Sequence, residues 1–72
     1  MLFSLCKEKH QATQVITYEL WEHQSATGQP HSWSIKKRNT LDNHIQRVIA
    51  ESIKSKQAID LIWSDILAGE QK

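Results

Sequence analysis

Apolar residues recur at helical spacing from Leu41 to Leu67, and this stripe constrains the fold more than any other feature. At about 100° per residue, Ile45, Val48, Ile49, Ile53, Ile59, Ile62, Trp63, Ile66 and Leu67 fall on the Leu41 side of a helical wheel. The polar insert Lys54-Ser55-Lys56-Gln57 leaves the phase unchanged, so the pattern predicts one long amphipathic helix. Asn39 or Thr40 is the expected cap, Asp42 complements the positive helix end, and Gly69 is the expected stop. The tail Glu70-Gln71-Lys72 is expected to fray.

The rest of the chain has to cover that helix. Gln14 to His23 is dense in β-branched and aromatic residues, and Ser32 to Arg38 alternates around Trp33 and Ile35. Between them, Gln24 to Pro30 carries the only proline and one of two glycines, which marks a hairpin loop. Pairing Leu20 with Trp33 and Tyr18 with Ile35 collects Ile16, Tyr18, Leu20, Trp33 and Ile35 on one face toward the helix. Trp33 is then expected to be buried and Trp21 more exposed. Leu2 to Cys6 is apolar enough for a third strand, with Lys7 to Thr13 as loop. The expected fold is therefore α+β: a short antiparallel sheet, made of the hairpin and an N-terminal strand, packed on one long C-terminal helix. Residues 1–72 are expected to form a single small domain.

Seventy-two residues build a thin core, and chains of this size often need a staple. Cys6 is the only cysteine, which excludes an intrachain disulfide and fits either a reducing compartment or a small hydrophobe of the core. A net charge of +1 gives no whole-surface attraction to nucleic acid or anionic lipid. No run of about 20 apolar residues is present to span a bilayer. The apolar start lacks a basic segment before it, so a signal peptide is not expected and the cytoplasm is the expected compartment.

Two surfaces are candidates for function. A helix of about 28 residues runs roughly 42 Å, whereas a strand of about 8 covers roughly 27 Å. The overhanging end would present Ile59, Ile62, Trp63, Ile66 and Leu67, a patch suited to a homodimer or another protein partner. A bend at Lys54 to Gln57, or cover from the N-terminal strand, would instead fold that end back onto the core. The second surface is the outer face of the hairpin. There an exposed Trp21 beside Lys36, Lys37 and Arg38 would stack a base while the cations meet phosphate. Glu19 and Glu22 dilute that field, and a solvated strand end explains the basic run equally simply.

Catalytic and metal chemistry find little support. His10, His23, His31 and His44 lack the tight paired spacing of a structural zinc site, so no metal is expected. There is no glycine-rich phosphate loop and no serine nucleophile motif, and Cys6 has no partner placed by sequence. No cofactor is expected. The reading from sequence is a non-catalytic regulatory protein acting through protein–protein contacts as a homodimer, with a nucleic-acid-binding regulator as the alternative.

Overall fold

The computed structural model describes residues 3–70, with the side chain of Glu70 left aside. Leu2, expected to open the first strand, and Gln71-Lys72 of the tail lie outside the described residues. Four strands, β1 (Phe3–Gln11), β2 (Ile16–Gln24), β3 (Pro30–Asn39) and β4 (His44–Ile53), precede one helix, α1 (Lys56–Glu70). The strands form an antiparallel meander in the order β1-β2-β3-β4, and the helix packs on β3 and β4. The architecture is α+β, with the helix on one side of the sheet and the other side open.

The N-terminal strand is longer than its apolar start implied. Lys7 to Gln11 continue β1 after a register break between Cys6 and Glu8. The turn into β2 is held by the Thr13 hydroxyl, which accepts the Val15 and Ile16 amides at 3.2 and 3.0 Å. The expected loop after His23 is present: Gly28 takes φ +85°, a left-handed value that favours glycine.

The hairpin register differs by two residues from the expected one. Leu20 faces Ile35 and Glu22 faces Trp33. A shift of two preserves side-chain faces, so Tyr18, Leu20, Trp33 and Ile35 still share the helix side. Trp33 is buried and Trp21 half-buried, as expected. The indole N–H of Trp33 donates to Glu22 at 3.2 Å, which gives the buried ring a polar partner in this register.

The long helix is corrected. Residues 44–53 form β4; Asn39 ends β3 and Thr40 opens the turn into β4, where the Asn39 side chain accepts the Leu41 amide at 2.9 Å. The helix begins at the insert, capped by Ser55, whose hydroxyl accepts the Ala58 amide at 3.2 Å. The cause of the misleading pattern is visible in the pairing. From Trp33 to Asn39, β3 advances six residues while β4 advances nine from Ile53 to His44. Three extra residues in one strand break its alternation three times. The residues that β4 sends to the core, Ile49, Ala50 and Ile53, are therefore three and four apart, the spacing of a helix. Gly69 does not stop α1, which runs through it to Glu70.

The core consists of Tyr18, Leu20, Trp33, Ile35, Ile59 and Trp63, with Ile62, Ile66 and Leu67 packed at its margin. Trp63 also donates its indole N–H to Glu8 at 2.6 Å, tying the helix to β1. No helix among the described residues is long and apolar enough to cross a membrane.

Candidate binding site on the open face of the sheet

Strand alternation places Thr17, Glu19, Trp21 and His23 of β2 beside Ser32, Ser34, Lys36 and Arg38 of β3 on the side away from the helix. A solvated polar face is the ordinary outcome for such residues. Here Thr17, Glu19, Ser32 and Ser34 are buried, because their longer neighbours close over them.

Glu19 is the hub of one network. It accepts from Arg38 at 2.8 and 3.5 Å and from the Trp21 indole N–H at 2.8 Å, and Lys9 of β1 stands 4.0 Å away. Burial alone would raise the pKa of this carboxyl. Hydrogen bonds from Arg38 and Trp21, with the charges of Arg38 and Lys9, outweigh that and hold it below its ordinary value. The Lys36 ammonium lies 4.8 Å from the centre of the Trp21 ring, within cation–π range. Cys6 shares this face, opposite Trp21. Cys6 is exposed, but desolvation by its neighbours and the charge of Glu19 push its thiol pKa up, which favours the protonated thiol at neutral pH.

His23 is the hub of a second network. Its Nδ1 shares a hydrogen bond with the Ser4 hydroxyl at 2.6 Å, and its Nε2 with the Ser34 hydroxyl at 2.8 Å. The Ser34 oxygen also accepts the Ser52 amide at 3.3 Å. Ser34 alone on β3 faces Glu51 and Ser52 together on β4, since Trp33 pairs with Ile53 and Ile35 with Ala50. Ser52 takes φ +55°, a left-handed value that is strained for a residue with a side chain. A concavity of about 300 Å³ lies beside this bulge. His31 and Lys36 stand on its β3 side, and Val48, Glu51 and Ser52 on its β4 side.

The sequence candidates are distributed unevenly over this geometry. Trp21, Lys36 and Arg38 lie together on the open face, but Arg38 is bound to Glu19. Lys37 is on the helix side, paired with Tyr18 and Arg47. Of the helix residues, Ile59 and Trp63 are buried in the chain's own core, while Ile62, Ile66 and Leu67 are half-buried. The premise of an overhanging helix end is corrected: α1 has 15 residues, about 22 Å, and lies within the reach of the sheet. His23 and His31, expected to flank the loop, line the same concavity. The sequence reading gave no site role to Ser34, Glu51 or Ser52. Ser34 carries the signal of a small polar residue between Trp33 and Ile35, but the bulge that gives the other two their positions leaves no mark in residue type.

No protein-family model matches the chain, and neither the curated proteins nor the solved structures contain a match.

Proposed function

We propose that the protein is a small non-catalytic binding protein of regulatory type, acting in the cytoplasm through protein–protein contacts as a homodimer. One observation carries this reading: a single helix covers only part of a four-stranded sheet. A helix is about 10 Å wide, enough for two strands at about 4.8 Å spacing. Because α1 lies mainly on β3 and β4 and reaches β1 through Trp63 and Glu8, the N-terminal end of β1 is left open on the helix side. Phe3 and Leu5 occupy that side, opposite Gln24 and Glu22, and both are exposed. Half-buried Ile62, Ile66 and Leu67 of α1 add incompletely covered apolar area on the same side of the sheet. A two-fold axis lets one patch cover its own copy, which suits a chain whose core is thin.

The test is the concentration dependence of the side-chain NMR spectrum. The methyl signals of Leu5, Ile62, Ile66 and Leu67 are expected to shift together on dilution, while those of Leu61 and Val48 stay fixed. Shifts absent from the first group, or spread evenly over both, would remove the basis for this interface.

A second reading, binding of single-stranded nucleic acid, is favoured by the Trp21–Lys36 pair on the open face. Its support is narrower than the basic run suggested, because Arg38 is neutralised by Glu19 and Lys37 faces the other way. Salt-sensitive retention on immobilised single strands, weakened by Trp21→Ala, is the expected result if this reading holds.

A further inference from the structure

We propose that the concavity between β3 and β4 binds a small zwitterion with the chemistry of a free α-amino acid, its carboxylate at Lys36 and its ammonium at Glu51. This site is independent of the dimer surface, which lies on the other side of the sheet.

The first argument is charge. Lys36 and Glu51 line the same concavity, yet their side chains do not pair within 4.0 Å, and neither side chain has a hydrogen bond or an ion pair among the described residues, Lys36 having only its contact with the Trp21 ring. The Trp21 ring holds the Lys36 ammonium on the β2 side, while Glu51 rises from the β4 bulge across the cavity. A cation and a carboxylate held apart over one cavity are complementary to a ligand carrying both opposite charges. They disfavour a simple anion, which Glu51 repels, and a simple cation, which Lys36 repels.

The second argument is construction. The cavity is lined by the residues of the bulge, where Ser34 opposes two residues of β4 and Ser52 holds a left-handed backbone. Bulges and strained backbone gather where a side chain has to be re-aimed toward a site. The floor is fixed before any ligand arrives, since Ser34 is locked by His23 and by the Ser52 amide. The Ser52 hydroxyl and the His31 ring, whose Nδ1 shares a long hydrogen bond of 3.4 Å with the buried Ser32 hydroxyl, also line the cavity and can meet polar atoms of the ligand. About 300 Å³ is the lower end of the range for small-molecule sites and suits a compact ligand.

The test is titration of the folded protein, followed by amide NMR, with L-serine, L-alanine and glycine as probes. N-acetyl-L-serine, which lacks the ammonium, and ethanolamine, which lacks the carboxylate, are the comparators. The expected result is saturable shifts centred on Lys36, Glu51 and Ser52 with an amino acid. Binding should be weaker by about tenfold or more for each comparator, the scale of one lost charge-assisted hydrogen bond. Glu51→Gln and Lys36→Met are each expected to lose the same factor, with the remaining amide spectrum unchanged. The absence of saturable shifts with all three amino acids at about 10 mM would overturn the proposal. So would comparators that bind as well as the parent amino acid, or a Glu51→Gln variant that binds like the unmodified protein.

Discussion

Arg38 meets Glu19 at 2.8 Å across the middle of the sheet, and the Glu19 side chain is only 2% exposed. The pair occupies the face that the helix leaves open, so the open face is built around a satisfied charge. Removing one partner strands the other. Loss of one member of a buried pair costs about 3–5 kcal/mol, and Arg38, with a side chain 23% exposed, belongs near or below the low end of that range. Arg38→Ala is therefore expected to lower unfolding free energy by about 2–3 kcal/mol in urea. An effect under about 0.5 kcal/mol would show that Glu19 is hydrated in solution.

The same carboxylate sets a pH dependence. Glu19 and Glu22 both titrate below their ordinary value when folded, Glu22 through the hydrogen bond from Gln24 and the neighbouring charge of Lys7. A depressed folded pKa contributes stability that is fully present above the unfolded value, about 4.3, and is lost as pH falls through the folded value. Urea midpoints are expected to change little between neutrality and about pH 5.5 from these two groups, and to fall steeply below about pH 4. Glu19→Gln is expected to flatten the acid limb, and an unchanged limb would exclude Glu19 as its source.

The helix boundary is testable by its cap. Ser55→Ala removes the acceptor for the Ala58 amide and is expected to cost about 1 kcal/mol. Thr40→Ala, at the start predicted from the apolar stripe, is expected to leave the helical circular dichroism signal unchanged. The reverse pattern would restore the longer helix.

Ser52→Gly is expected to stabilise the isolated chain by up to about 1 kcal/mol, because glycine accepts φ +55° without strain and keeps the amide that Ser34 accepts. Urea unfolding of the variant measures this, and a clear loss of stability would mean that the Ser52 side chain makes a contact of its own.

Much of this molecule can be read from its residues, and the failures have one physical source. The hairpin, its loop, the faces of Trp21 and Trp33 and the second half of the helix follow from alternation and from i, i+3, i+4 spacing. The strand β4 does not, because three bulges replace a period of two with steps of three and four, and a wheel cannot distinguish the two cases. Everything built on that stretch shifts with it. The overhanging helix disappears, Ile59 and Trp63 become core, and the apolar remainder moves to Phe3, Leu5 and the helix margin. The concavity on the open face lies beside one of the same bulges. Its paired features, Lys36 with Trp21 and Ser34 with His23, arise from register, which single residues do not encode.

Association of the chain with itself is the central claim, and sedimentation equilibrium measures it most directly. One chain has a mass of 8.4 kDa. Across micromolar concentrations, the unmodified protein is expected to approach twice that value, and Leu5→Glu combined with Ile66→Asp is expected to return it to that of a single chain. A mass of 8.4 kDa for the unmodified protein at every concentration would contradict the account, and would mean that Phe3, Leu5, Ile62, Ile66 and Leu67 remain at the surface of a monomer.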